Sequence, residues 1–193
     1  MKRRLLLMDE ILSKIILITG EQGSGKSTFC RMIVDEYKLR DVKVSGILSE
    51  LEKDKDKKLA INSINILTNE KKQLAGYAPG WNPAKPTSKW QFKKEIFQWG
   101  NHVLEKAIPT DLLIIDELGH MEFEERKGWN RSFDILHSKF YKCAVIVVRP
   151  EFIRDAKKEL IINHILTIKN YNQLKEKLEE IKLLINPIVD FQC

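Results

Sequence analysis

At 193 residues the chain has the length of one ordinary α/β domain, with little left over for a second core. Its 33 basic and 27 acidic side chains leave a formal charge of +6, but the lysines are scattered along the whole length, which describes a solvated surface and not a focused nucleic-acid patch. Three cysteines without CxxC spacing speak against a disulfide framework and for a reducing compartment, and the four histidines lie too far apart in sequence to suggest a metal site.

The first residues, "MKRRLLLMDEILSK", place basic groups before a short apolar run that Asp9 and Glu10 interrupt before a secretory core or membrane span could form. Residues 1–13 therefore read as an N-terminal extension to a soluble, cytoplasmic protein. "IILIT" (15–19) is apolar on both faces, as the central strand of a covered parallel sheet must be. Phe29, Ile33 and Tyr37 then recur at helical spacing. "VKVSGIL" (42–48) is the next strand, and "GILSELEKDKDKKLAINSINIL" predicts two strands around a charged turn, an antiparallel hairpin. Residues 80–91, rich in proline and tryptophan, predict an irregular loop that faces a substrate or covers a small satellite core with Trp81 and Trp90.

Beyond the loop, Phe92, Ile96, Trp99, Val103 and Ala107 form a second helical stripe, followed by the strand "LLIID" (112–116). Trp129, Phe133, Leu136 and Phe140 form a third stripe before "CAVIVV" (143–148). "HILTI" (164–168) and a last helix through Leu174, Leu178, Ile181 and Ile185 complete a strand–helix alternation. That alternation is the mark of a single α/β domain over residues 1–193, with a mostly parallel sheet and a hairpin extension.

"GEQGSGKS" (Gly20–Ser27) fits G-x-x-x-x-G-K-[ST] between a strand and a helix, the context that the Walker A phosphate loop requires. Glycines let the loop curl until the N–H groups of Gly20, Glu21, Gln22, Gly23, Ser24 and Gly25 converge on phosphate oxygens, and the helix start adds its positive dipole end. Lys26 is expected to neutralise the β- and γ-phosphates, Ser27 to ligate Mg²⁺, and Thr28 to approach the α-phosphate. "DLLIIDELGHME" supplies the Walker B counterpart, in which Asp116 at the strand's carboxyl end steadies the metal and Glu117 orients or deprotonates a water. Glu122 is a third acid, read either as an assistant or as part of a solvated acidic loop with Glu124 and Glu125. Arg149, directly after "CAVIVV", is a candidate γ-phosphate sensor, with a plain surface cation as the alternative.

"DELG" also fits the D-x-x-G of switch-type GTPases, but no [NT]-K-x-D guanine reader follows anywhere in the chain. A P-loop kinase shares the loop, the metal and the sheet, although the clustered lid arginines of that class are spread out here as Arg126, Arg131, Arg149 and Arg154. A nucleotide-dependent binding module with slow turnover is the third reading.

With these motifs, the chain resembles the cancer-related nucleoside-triphosphatase family, small P-loop proteins of bacteria, archaea and animals. The resemblance is carried by "GEQGSGKST", "GILSELEK" with "INILT", "LLIIDELGHMEF" and "LTIKNYNQL", from about Lys14 to the last helix. Asp116, Glu117, Leu118, Gly119, His120, Met121 and Glu122 match in order the family pattern of acid, acid, aliphatic, glycine, any, aliphatic, glutamate. It implies a RecA-like, three-layer fold and Mg²⁺-dependent hydrolysis of ATP, GTP and other nucleoside triphosphates, with Gly20–Ser27 and Leu112–Gly119 touching the nucleotide. One departure is Tyr171 after Asn170, where some relatives carry an arginine.

Overall fold

The computed structural model describes residues 13–55, 57–77 and 90–190. The strands are β1 (Lys14–Thr19), β2 (Val44–Asp54), β3 (Lys57–Asn65), β4 (Lys71–Tyr77), β5 (Trp90–Phe92), β6 (Thr110–Leu118), β7 (Tyr141–Val148) and β8 (His164–Thr167). The helices are α1 (Lys26–Lys38), α2 (Lys94–Lys106), α3 (His120–Phe123), α4 (Arg131–Ser138), α5 (Ile153–Glu159) and α6 (Leu174–Val189). All eight strands form one sheet in the order β5-β4-β3-β2-β6-β7-β1-β8. From β2 to β8 the pairing is parallel, and from β2 to β5 it is antiparallel.

Alternating side chains of the aliphatic strands feed two cores, one on each face. On one face Ile16, Ile18, Leu112, Ile114, Val145 and Val147 pack beneath Phe29, Ile33 and Tyr37 of α1 and Ile181 and Ile185 of α6. On the other, Leu17, Leu113, Ile115, Ala144 and Ile146 pack against Leu104 of α2, Leu136 of α4 and Ala156 of α5. Strands buried on both sides explain the unbroken apolar runs, and each fully buried aliphatic side chain contributes roughly 1.5–3 kcal/mol. The result is the three-layer α/β sandwich expected from the alternation.

Several local expectations differ from the structure. β2 is longer than its apolar run, because after Ile47 it parts from β6 and continues as the first arm of the hairpin with β3. β4 and β5 extend that hairpin into a four-stranded antiparallel wing, although "KKQLAGY" carries too little apolar alternation to announce a strand. Trp90 and Phe92 lie in β5, so the irregular loop expected over 80–91 ends in a strand and the second helical stripe begins only at Lys94. Trp81 and the rest of that loop up to residue 89 lie outside the described residues, as do residues 1–12 of the N-terminal extension. Trp129 precedes α4 and lies over Gly100, where an added side-chain carbon would sit 2.2 Å from the indole ring. Phe140, placed on the same stripe by spacing, is past the helix and exposed.

Glu122 requires a further correction. It is neither part of a solvated acidic loop nor a free acid, because its side chain folds inward and is only 5% exposed. Its two oxygens accept the backbone N–H groups of Gly119 at 2.9 Å and Trp129 at 2.8 Å, so one carboxyl closes the turn between β6 and α4. Burial pushes its pKa up to about 7 and the charge of Glu117 adds to the effect, while the two backbone donors oppose it.

The sign of the resulting pH dependence follows. The Glu122 carboxyl ionises near 4.5 when unfolded and near 7 when folded, so between those values the native state holds the extra proton. Its contribution to stability is fully present below the lower value, falls by up to about 3 kcal/mol as pH rises through the folded value, and is flat beyond it. Glu122→Gln, uncharged throughout, should make the stability–pH curve in urea titrations less steep across that window, leaving the part due to the other buried acid, Asp116; a variant curve running parallel to the wild type would place the dependence elsewhere.

Candidate functional site

The link from β1 to α1 is a tight bend of successive glycines. Gly20 has φ +150°, and a side-chain carbon there would lie 2.1 Å from the carbonyl oxygen of Ile168, so only glycine lets the loop press against the end of β8. The bend is closed by Ser24 N–H on Glu21 O at 3.1 Å, and α1 begins with Phe29 N–H on Gly25 O at 2.8 Å. The first-turn N–H groups of α1 therefore point into the hollow of the loop with no side-chain cap to satisfy them.

Lys26 is buried, and its ammonium donates to the carbonyls of Gly20 at 2.7 Å and Glu21 at 2.9 Å. That clamp holds the side chain folded over its own loop. Ser27 Oγ donates to Asp116 Oδ1 at 3.2 Å, bringing together two residues 89 positions apart. Asp116 is fully buried at the carboxyl end of β6, where its Oδ2 accepts Ser49 N–H at 3.1 Å and its main-chain oxygen accepts Ser49 Oγ at 2.7 Å. Burial raises its pKa to about 7, helped by the neighbouring Glu117 charge and opposed by Ser49, Ser27 and Lys26.

Glu117 follows across a cis peptide and turns its carboxylate into the cleft, with 27% of the side chain exposed. Arg149 Nε donates to Glu117 Oε1. Burial works against the guanidinium charge, but the facing carboxylate more than offsets it and raises the Arg149 pKa. The contact depends on strand order: β7 lies between β1 and β6, so the residue leaving its carboxyl end emerges between the phosphate loop and the Walker B acids.

Lys26, Ser27, Ser49, Glu117 and Arg149 open onto one cleft of about 750 Å³, with Asp116 buried behind Ser27. Gln22, Gly23, Gly25, Lys26, Ser27 and Thr28 line it on one side and Glu117 and Arg149 on another. Gly20 and Glu21 take part through the carbonyls that hold Lys26, while Ser24 is buried with its hydroxyl unpartnered among the described residues. Of the sequence-derived acids, Asp116 and Glu122 are both buried with both oxygens occupied, but Asp116 is tied to Ser27 of the phosphate loop whereas Glu122 is tied only to the backbone of its own turn. Sequence reasoning missed Ser49, while Trp90, expected in a substrate-facing loop or a satellite core, and Tyr171, noted only as a departure from relatives, both line the cleft. The strand register could have found Ser49, since Ile47 pairs with Ile115 and the next inward residue of β2 must then face the end of β6.

Among the described residues no three His, Cys, Asp or Glu side chains converge to hold a metal. Ser27 and Asp116 instead offer an oxygen-only pair suited to a hard divalent cation that draws its remaining ligands from phosphate and water. No helix among the described residues is long and apolar enough to cross a membrane.

Comparison with known proteins agrees with this geometry. The model of the NTPase family matches residues 15–179. The nucleoside-triphosphatase THEP1 of Methanocaldococcus jannaschii is 34% identical over 113 residues, a match that spans 58% of this chain and 65% of that protein. THEP1 of Caldivirga maquilingensis is 23% identical over 171 residues, spanning 80% of this chain and 96% of its own length. In fold, the chain is similar to the crystal structure of THEP1 from Aquifex aeolicus, with a TM-score of 0.65, 20% identity and coverage of 89% and 98% of the two chains. The solution structure of a human cancer-related nucleoside triphosphatase superposes with a TM-score of 0.58 at 17% identity, covering 88% of this chain and 98% of that one. With a family match running from the first strand into the last helix, and with a glycine loop, a buried aspartate and a following glutamate gathered on one sheet edge, the protein belongs to the nucleoside-triphosphatase family.

Proposed function

We propose that the protein hydrolyses nucleoside triphosphates, ATP and GTP among them, to the diphosphate and phosphate with Mg²⁺ as cofactor. The observation that carries this reading is the convergence of Lys26, Ser27 and Glu117 on one cleft, with Asp116 directly behind Ser27 and the Glu117 carboxylate facing a loop built to hold phosphate. In the substrate complex the loop N–H groups bind the β-phosphate and the Lys26 ammonium exchanges its two carbonyl partners for β- and γ-oxygens. Ser27 Oγ and Asp116 are the groups that would hold Mg²⁺, which when bound neutralises charge on the β- and γ-phosphates.

Glu117 orients a water opposite the β–γ bridge and accepts its proton as the water oxygen bonds to the γ-phosphorus; the bridging bond breaks and the nucleoside diphosphate leaves. Arg149 is within reach of both stations. In the free protein it pairs with Glu117, and a γ-phosphate entering the cleft competes for the same guanidinium. Transfer of Arg149 to phosphate frees the Glu117 carboxylate and places a positive charge where negative charge develops. The free thiols Cys30 and Cys143, both buried, support the assignment to a reducing cytoplasm.

Purified protein with Mg²⁺ and a nucleoside triphosphate should release phosphate with no acceptor added; release that needs an acceptor would make it a phosphotransferase. Glu117→Gln should lower kcat by roughly 10²- to 10⁴-fold and keep nucleotide affinity near wild type, since the amide preserves size but cannot take a proton. Normal turnover in that variant would end the general-base assignment. Lys26→Ala should abolish binding measured by calorimetry.

Arg149→Ala removes one charged donor from the transition state and should cost about 10²- to 10³-fold in kcat. If Arg149 were only a surface cation, single-turnover phosphate release would be unchanged.

A further inference from the structure

We infer that Tyr171 is the stacking platform for the nucleobase, and that this protein accepts its substrates by the area of the base ring and not by reading its edge. The inference rests on the proposed triphosphate site and specifies the part of that site the catalytic groups leave open.

Three aromatic side chains line the cleft: Trp90, Phe92 and Tyr171. Strand order decides between them. Asp116 and Glu117 lie at the end of β6, two strands from β1 on one side, and the wing carrying Trp90 and Phe92 lies farther out on that same side. Tyr171 follows β8, which flanks β1 on the other side. A triphosphate whose γ end faces Glu117 must run its α end, ribose and base away from β6, toward β8. Tyr171 is the cleft-lining aromatic on that path.

Its surroundings fit the role. Trp90 is engaged edge-on by Tyr77 at 5.7 Å and Phe92 is stacked with Phe97 at 5.7 Å, whereas Tyr171 has no ring partner among the described residues and is 57% exposed. The ring is also fixed in place. Ile168 N–H donates to Thr19 O at 2.8 Å, tying the chain after β8 to the start of the phosphate loop. Asn170 Oδ1 accepts Asn172 N–H at 3.0 Å and starts the short turn Tyr171–Gln173, and the buried Leu174 anchors the other end in the core. The ring edge lies 3.4 Å from where a Gly25 side-chain carbon would be, so the absence of a side chain there lets the ring rest on the loop itself. Among the described residues, the Asn170 side-chain oxygen already accepts Asn172 N–H, and what Tyr171 offers is the flat face of its phenol ring, which every base satisfies and purines satisfy over a larger area.

The test compares the full-length protein with Tyr171→Ala, Tyr171→Phe and Tyr171→Trp, measuring Mg²⁺-dependent affinity for ATP, GTP, CTP, UTP and inorganic tripolyphosphate by calorimetry. Tyr171→Ala should weaken binding of all four nucleotides, by roughly 5- to 100-fold for the purines and less for the pyrimidines. Its tripolyphosphate affinity should match the wild type, which also shows that the loop is intact. The Phe and Trp variants should restore nucleotide affinity. Nucleotide affinity unchanged in Tyr171→Ala, or lost equally with tripolyphosphate, would overturn the inference. Failure of the triphosphate site itself reads differently: tripolyphosphate would not bind the wild type, or would bind Lys26→Ala equally well.

Discussion

A carboxylate sealed from water organises this molecule. Asp116 sits at zero exposure at the end of a central strand, facing neutral donors from two other elements, Ser27 of α1 and the main chain of Ser49 in β2. Burying such a group is unfavourable unless its charge is met, and neutral hydrogen bonds at 3.1 and 3.2 Å meet it only in part. The raised pKa of Asp116 is the expression of that shortfall. On the proposed function, a divalent cation arriving with a triphosphate would supply the missing charge.

Strand order turns this constraint into a directional site. Because β7 separates β1 from β6, the phosphate loop and the Walker B acids are spaced apart, and the gap is filled by what leaves β7, namely Arg149. Because β8 adjoins β1 on the opposite side, the phosphate loop is flanked by acid and arginine on one hand and by Tyr171 on the other. On the proposed function, topology would thus orient the substrate before any side chain distinguishes one end from the other. The close approach of Gly20 to Ile168 O packs the phosphate loop directly against the end of β8.

What could be read in the sequence was whatever has a strong local cause. The glycine loop, the aliphatic strands and the amphipathic helices follow from backbone freedom and periodicity, and "IILIT", "LLIID" and "CAVIVV" all became buried central strands. β4 and β5 left no trace because they are exposed on one face and short, so their pairing comes from β3 and not from their own composition. Glu122 resembled its acidic neighbours in sequence, and its inward turn depends on two N–H groups that only the folded turn brings together. Ser49 and Tyr171 are polar and aromatic residues of ordinary appearance whose positions are set by register and by the path after β8. In each case the missing information was nonlocal.

The antiparallel wing raises a last point about how a polyanion reaches the loop. Arg31 of α1 and Lys71 of β4 both pair with Glu50 of β2, at 2.5 and 3.2 Å, and Arg31 and Glu50 line the cleft together with Lys53. These pairs are partly exposed, with 29% to 49% of each side chain accessible, so they add little to stability. Burial alone would raise the Glu50 pKa, yet the two cations hold it below the usual carboxylate range. Two cations on one acid leave this group with one positive charge over, the sign that the proposed triphosphate substrate requires. On the proposed function, attraction at the entrance and capture at the loop would thus fall to different side chains, the entrance charge coming from α1 and the wing.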